Sequence, residues 1–265
     1  MHNDIDCVSF TGSGEVGRYF LEYAAKSNMK RIVLECGGKS PAIFMEDADV
    51  SKAVENIAAG ILFCQGENCS AGSRLIVHES RKDELLEALK PEFAGWTVGD
   101  PLNEDTKIGA MISERHLGKV KDLIEKGQSE GANVVLGGNQ IHKDSGGFFV
   151  EATIFDGVTN DMTIAREEIF GPVLSVITFK DEEEGVKIAN DTNFGLAASL
   201  YTENLSAAHR VAKAIRAGTV SVNCYGEGDF GVPFGGYKES GFGGKDNGLA
   251  AHDQYTEQKA IWIQL

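Results

Sequence analysis

Strand-like and helix-like stretches alternate along almost the entire chain, and few architectures accommodate that pattern. Short apolar runs at residues 6–11, 31–35, 42–45, 74–78, 133–136, 175–179, 197–201, 219–223 and 260–264 read as strands. Between them, residues 15–27, 49–64, 80–90, 113–128, 181–190 and 205–217 read as helices. Val16, Tyr19, Phe20 and Tyr23 share one face of the first helix; Val50, Val54, Ile57, Ile61 and Leu62 recur at helical spacing in the second. Gly218 stands where it would cap the last helix, since glycine enters the left-handed conformation of a C-terminal cap without a Cβ penalty. Parallel strands need a crossover rather than a hairpin, and intervening helices supply it. The expectation is an α/β fold with a largely parallel sheet and flanking helices, without internal repeats or low-complexity linkers.

At 265 residues the chain can form one large domain or two small ones. Its 40 acidic against 25 basic residues, a net charge of −15, argue against a nucleic-acid partner, because phosphate-backbone binders concentrate Lys and Arg. No apolar run approaches the ~20 residues that span a bilayer, and no signal peptide is recognisable, so no membrane partner is expected. The cysteines Cys7, Cys36, Cys64, Cys69 and Cys224 are odd in number and irregular in spacing. Neither a disulfide framework nor a metal site is expected, and free thiols point to a cytoplasmic location. Of 32 glycines, nine fall within residues 226–248, which marks a long, tightly turned loop of the kind that often carries function.

Gly12-Ser13-Gly14-Glu15-Val16-Gly17 matches GxGxxG, after a strand and at the opening of a helix, and Glu35 ends the next strand. In a dinucleotide fingerprint such glycines admit a pyrophosphate to the helix N-terminus and the acid binds ribose. Here Glu35 runs directly into Cys36-Gly37-Gly38-Lys39-Ser40-Pro41, a glycine turn rather than a continuing unit. A tight strand-to-helix turn is the weightier explanation.

Cys69 lies in Gln65-Gly66-Glu67-Asn68-Cys69-Ser70-Ala71-Gly72-Ser73, just past an apolar helix. A free thiol of pKa ~8.5 is mostly protonated at neutral pH, so a nucleophilic cysteine needs a base or a positive field, and N–H groups to hold an oxyanion. The small residues around Cys69 let substrate and main chain come close. Cys7, Cys36, Cys64 and Cys224 lie in or beside apolar runs and read as small buried hydrophobes. A cysteine hydrolase remains open: His209 follows Cys69 by 140 residues, a papain-like separation. His209, however, shares a helix face with charged residues and reads as solvated, and the papain signature is missing around Cys69. Glu35 is the better candidate base.

Four stretches together are similar to the aldehyde dehydrogenase family. Val33-Leu34-Glu35-Cys36-Gly37-Gly38-Lys39-Ser40-Pro41 resembles its LELGGKSP signature, and Gly66-Glu67-Asn68-Cys69 its G-Q-x-C nucleophile motif. Glu167-Glu168-Ile169-Phe170-Gly171-Pro172 resembles EEIFGP, and Pro233-Phe234-Gly235-Gly236-Tyr237-Lys238-Glu239-Ser240-Gly241 resembles PFGGxKxSG. Their order is the family's, over essentially the whole chain.

The resemblance implies an aldehyde dehydrogenase catalytic domain at residues 41–250, preceded by a remnant of a Rossmann-like cofactor domain at 1–40. Residues 251–265 would be an oligomerisation strand that pairs with a neighbouring subunit in a homo-oligomer. The implied reaction oxidises an aldehyde to a carboxylic acid with NAD or NADP. Cys69 would attack the aldehyde carbon to give a thiohemiacetal and then a thioester, its own N–H holding the oxyanion. Glu35 would activate the hydrolytic water, as base rather than ribose ligand. Ser13 would meet the pyrophosphate, Gly37 the nicotinamide end and Glu168 the nicotinamide ribose, with Phe170 packing close by and Phe234 lining the substrate tunnel.

Gly14, Cys36 and Glu67 depart from the family's usual Thr, Leu and Gln, and Glu67 brings a negative charge near the thiol. Family members are nearly twice as long, so an N-terminal half carrying an oxyanion-hole asparagine and a ribose-binding lysine is expected elsewhere, as a partner polypeptide or a lost segment. Without it the chain is expected to oxidise aldehydes poorly, and a non-enzymatic remnant that associates through exposed edges is the alternative. Asn223-Cys224-Tyr225-Gly226-Glu227-Gly228-Asp229 resembles enzymes acting on γ-glutamyl-aminobutyraldehyde and related amino-aldehydes. Glu227 and Asp229 at the tunnel mouth would attract a cationic amine, unless they form only a solvated acidic loop.

Overall fold

The computed structural model describes residues 1–226 and 228–265. Strands β1 (Cys7–Thr11) and β2 (Arg31–Glu35) flank helix α1 (Gly14–Ala25) and pair in parallel. After β2 the chain passes into β3 (Pro41–Phe44), α2 (Val50–Leu62), β4 (Arg74–His78), α3 (Lys82–Ala94) and α4 (Glu114–Ser129). Strands β5 (Asn133–Leu136), β6 (Gln140–Ile141), β7 (Phe149–Val150) and β8 (Thr153–Asp156) follow, then the short α5 (Thr163–Arg166). The last third holds β9 (Val173–Phe179), α6 (Glu182–Asn190), β10 (Ala197–Tyr201), α7 (Leu205–Ala214), β11 (Thr219–Val222), β12 (Gly241–Phe242) and α8 (Ala250–Asp253).

The main sheet has seven strands in the order β11-β10-β3-β4-β9-β8-β5, every pair parallel except β5 with β8. Both faces are covered, and the period-2 alternation of strand side chains assigns each residue to a face. On β3 and β4, Ala42, Phe44, Leu75 and Val77 join Ile57, Ile61, Leu89 and Phe93 beneath α2 and α3. Ile43 and Ile76 point the other way, to Phe179, Leu200 and Val211. A third cluster seats Leu117, Val120 and Ile124 of α4 on Phe155, Ile164 and Val173.

The second sheet, β1-β2-β12, is built from both ends of the sequence. β12 pairs antiparallel with β2, placing Gly241 opposite Glu35 and Phe242 opposite Leu34. The glycine-rich segment 228–248 is thereby drawn back onto the end of β2. Ser240 secures the junction: its carbonyl accepts the Cys36 N–H at 2.9 Å and its hydroxyl donates to the Gly37 carbonyl at 2.7 Å.

Four expectations are corrected. Residues 260–264 form no strand; Ile261, Trp262 and Ile263 are exposed, and an extended segment without a pairing edge leaves its backbone groups to solvent. Gly218 does not cap α7, which stops at Ala214; a Cβ on Gly218 would meet the Gly235 carbonyl oxygen at 1.8 Å, so this glycine serves a close backbone crossing. On α1, Phe20 does not share the face of the others: it packs inward on Phe10, while Val16, Tyr19 and Tyr23 face outward. The helix meets the sheet through Gly17, whose missing side chain lets Leu34 and Cys36 approach. Among the four cysteines read as buried, only Cys36 is; Cys64 and Cys224 are exposed and Cys7 half-buried. Cys64 lies beyond α2 in a turn where it (φ 50°) and Gln65 (φ 59°) are left-handed, so it leaves the helix's buried face.

Candidate active site

The turn after β2 brings Glu35, Gly37, Glu168 and the Cys69 main chain together. A Cβ on Gly38 would stand 2.5 Å from the Cys69 carbonyl oxygen, and one on Gly37 would stand 2.2 Å from Glu168 Oε2. Two side-chain-free residues thus let the thiol's main chain and the Glu168 carboxylate close on the same turn. Glu168 Oε1 accepts the Gly38 N–H at 3.0 Å. Burial pushes the Glu168 carboxyl above its ordinary range, while that N–H, Lys119, Lys39 and His116 pull it back.

Glu35 ends β2 with its carboxyl buried, and neither oxygen completes a hydrogen bond. Burial first, then the Asp246 charge, push it up to about 7; Lys245 and the nearby Gly236 N–H oppose the rise. Lys245 Nζ is held by the carbonyls of Gly235 and Gly236, at 2.5 and 2.7 Å. A carboxyl titrating near neutrality, without a fixed partner, suits a group that must accept a proton and release it. Its environment is the Gly235–Asp246 segment, whereas a separate cleft contains Ser13.

Cys69 is half-buried. Asn68 organises its surroundings: Oδ1 accepts the Ser70 N–H and hydroxyl, each at 3.2 Å, and lies 3.9 Å from Cys69 Sγ. Those contacts fix the amide's orientation, and Nδ2 donates to the Tyr225 hydroxyl at 2.8 Å. Glu67 turns toward other partners: Oε1 accepts the Ile112 N–H at 2.9 Å and stands 3.6 Å from His116 Nε2.

Ser13 is exposed and caps α1, accepting the Val16 N–H at 3.3 Å. Ser13 and Glu168 share a cleft of about 460 Å³ with Arg18, Lys119, Arg166 and Asn193. Glu15, Glu167 and Glu239 also line it, and Arg18 and Arg166 are ion-paired with Glu239 and Asp191, at 2.9 and 2.7 Å. The N–H groups of the α1 N-terminus and the Glu168 carboxylate suit a ligand carrying phosphates at one end and hydroxyls at the other, as a dinucleotide does. Phe170 is left-handed (φ 58°) two residues beyond Glu168. Phe234 is half-buried and bridges Asp246 through both backbone groups at 2.7 Å. Asp229 is exposed and accepts the Gly231 N–H at 2.6 Å; Glu227 lies outside the described residues. His209 is exposed on α7, as expected.

Sequence reading missed several contributors. Lys39 is wholly buried with an unpartnered Nζ, and burial, with the Arg74 charge, lowers its amine to about 7. It was legible as part of Gly37-Gly38-Lys39, as Lys245 and Asp246 were from lying just past Gly241. His116 carries no local signal. Among the described residues no group of His, Cys, Asp and Glu could hold a metal ion. No helix there is long and apolar enough to cross a membrane.

Residues 1–261 match the model of the aldehyde dehydrogenase family. An aminoacetaldehyde dehydrogenase of Pseudomonas aeruginosa is 51% identical over 263 residues, 99% of this chain and 52% of that protein. The crystal structure of an indole-3-acetaldehyde dehydrogenase with NAD+ superposes with a TM-score of 0.98 at 50% identity, covering 100% of this chain and 53% of the other. A γ-glutamyl-γ-aminobutyraldehyde dehydrogenase from Burkholderia cenocepacia J2315 gives 0.94 at 49% identity, over 97% of this chain and 52% of the other. The chain spans about half the length of the curated relatives it matches.

Proposed function

The chain belongs to the aldehyde dehydrogenase family, and we propose on that premise that it carries the thiol, the base and the nicotinamide-ribose segment of an NAD-dependent oxidation of aldehyde to carboxylic acid. The observation that carries this reading is the Gly37-Gly38 turn, which joins the end of β2 at Glu35 to Glu168 on one side and the Cys69 main chain on the other. Cys69 Sγ adds to the aldehyde carbon, and the Cys69 N–H donates to the oxygen that gains charge. Glu168 and Ser13 hold NAD in the cleft they share, with Gly37 at its nicotinamide end and Phe170 packed beside it. Bound there, NAD supplies the hydride acceptor that conversion of the thiohemiacetal to a thioester requires. Glu35, titrating near 7, takes a proton from the water that releases the acid. Phe234 lines the path to the thiol.

The aminoacetaldehyde and γ-glutamyl-γ-aminobutyraldehyde names of two relatives favour an amino-aldehyde substrate, with exposed Asp229 at the entrance. Residues 1–40 act as cofactor-domain remnant, 41–250 as catalytic domain and 251–265 as oligomerisation tail of a cytoplasmic homo-oligomer. The outward apolar side chains of α1 and the exposed Trp262 support a covering partner, whether a neighbouring copy or an N-terminal half.

The experiment is a single turnover. The protein is mixed with NAD and an amino-aldehyde, quenched in acid, and the Cys69 peptide weighed. An acyl adduct that requires both reagents and vanishes in Cys69→Ala supports the reading. An adduct on another cysteine, or acylation by an activated ester alone with no NAD binding, overturns it in favour of a thiol hydrolase.

A further inference from the structure

Two loops that the proposed reaction uses, the nucleophile loop and the segment after Glu168, meet at a histidine to which that reaction gives no part. His116 occupies the first turn of α4, whose N-cap Ser113 accepts the His116 N–H. Its Nε2 lies 2.6 Å from the Phe170 carbonyl oxygen. A carbonyl only accepts, so the imidazole carries its hydrogen on Nε2 and donates. The same Nε2 stands 3.6 Å from Glu67 Oε1, and both side chains are largely buried. The imidazole edge also rests on the Phe170 ring, centroids 5.8 Å apart.

Further contacts make this a junction rather than a chance approach. Lys119, one turn along α4, donates to the Glu168 carbonyl at 2.8 Å, so α4 grips the segment at Glu168 and again at Phe170. Phe170 is left-handed, a conformation that costs free energy for a residue with a side chain and persists only where the surroundings over-determine it. The loops also touch directly: a Cβ on Gly66 would stand 2.3 Å from the Gly171 carbonyl. The charged groups around the imidazole are Glu67 from the nucleophile loop, Glu168 from the segment itself and Lys119 from α4.

We propose that His116 is a positioning residue of the thiol site: its Nε2–H, donated to the Phe170 carbonyl with the Glu67 carboxylate 3.6 Å away, holds the nicotinamide-ribose segment against the nucleophile loop and turns an N–H dipole toward the Glu67 charge two residues from Cys69. This rests on Cys69 being the nucleophile. At Glu67, where the family's motif has glutamine, the Ile112 N–H needs only an acceptor oxygen, which glutamine would supply, whereas the His116 N–H dipole faces the carboxylate charge.

The test is the alkylation rate of Cys69, followed by peptide mapping at fixed neutral pH without cofactor. Its outcome is therefore independent of NAD binding and aldehyde turnover, by which the proposed function stands or falls. His116→Phe keeps a ring but removes the donor, leaving Glu67 only the Ile112 N–H, and is expected to slow Cys69 alkylation about three- to tenfold. His116→Gln retains an N–H donor and restores most of the rate. Glu67→Gln removes only the charge and speeds alkylation; in that background His116→Phe changes the rate less than about twofold, the signature of two residues acting through each other. Equal slowing by His116→Phe in both backgrounds overturns the proposal. So does a Glu67→Gln single variant that is unchanged or slower, a measurement that stands even where His116→Phe fails to fold.

Discussion

The Glu35 carboxyl fills the space of the side chain that Gly235 lacks: a Cβ there would lie 2.4 Å from Oε1, and 2.8 Å from Cδ of Lys245. Gly235 has φ +149°, outside the usual range of residues with a side chain. Gly235→Ala therefore combines backbone strain with displacement of a buried carboxyl, and a loss of about 1–3 kcal/mol is expected. Urea unfolding measures it. An unchanged midpoint would mean that Glu35 does not pack on this loop.

Glu35 also makes stability depend on pH in a direction opposite to most carboxyls. Its pKa rises from 4.5 to about 7 on folding, so between those values the folded chain holds a proton that the unfolded chain has lost. Stability from this residue is fully present below pH ~4.5 and falls as pH climbs through 7. Glu35→Gln removes the dependence. The variant is expected to match the wild type near pH 4.5 and to exceed it at pH 8 by an amount on the order of 1–3 kcal/mol. Parallel stability-against-pH curves for the two proteins would rule out a buried, late-titrating Glu35.

Lys39 acts across a different window. Its amine falls from 10.5 to about 7 on folding, so between these values the unfolded chain binds the extra proton and stability rises with pH. Lys39→Met keeps the apolar stem and deletes the amine. Relative to the wild type it is expected to be most favoured below pH 7 and to lose that advantage steadily toward pH 9.5. Comparison of urea midpoints at pH 6.5, 8 and 9.5 reads this out; a flat difference would show that the Lys39 amine is paired in solution.

The main strands and helices were legible because each satisfies a local rule. The strands at 31–35, 74–78, 133–136 and 197–201 agree residue for residue, since a short apolar run bounded by turn residues has one plausible conformation. Where tertiary context decided, sequence gave less. On α1, Tyr19 and Tyr23 keep helical spacing yet face outward while Phe20 packs on Phe10, and Gly17 lets the helix close on Leu34. The run at 260–264 has strand character but no partner. β8 and β12 are four and two residues long, and β12 exists only because segment 228–248 returns to β2. For the candidate site, the motifs singled out Glu35, Gly37, Cys69 and Glu168, which the structure gathers around one turn. Nothing local marks His116, which acquires its place only when α4 and the Phe170 segment dock.

The adjacent glycines of the turn after β2 offer a last, contrasting pair of variants. A methyl group on Gly37 would fall 2.2–2.4 Å from the Glu168 carboxylate, whereas one on Gly38 would fall 2.5 Å from the Cys69 carbonyl oxygen. The first obstacle is the tip of a flexible side chain bordering a solvent-filled cleft, so Glu168 can swing aside. The second is main chain of the loop between α2 and β4, which cannot swing aside as a side chain does. Gly38→Ala should therefore lower the unfolding midpoint markedly. Gly37→Ala should fold nearly as well as the wild type while breaking the Gly38 N–H bond to Glu168 and moving the carboxylate from its place. A hydrogen bond to a charged group is worth about 1.5–3 kcal/mol, so NAD affinity is expected to drop about ten- to a hundredfold in Gly37→Ala. Calorimetric titration of both proteins with NAD makes the comparison, and urea unfolding confirms that each is folded. Unaltered NAD affinity in a folded Gly37→Ala protein would remove Glu168 from the cofactor site, and with it the reading of the cleft that Glu168 shares with Ser13.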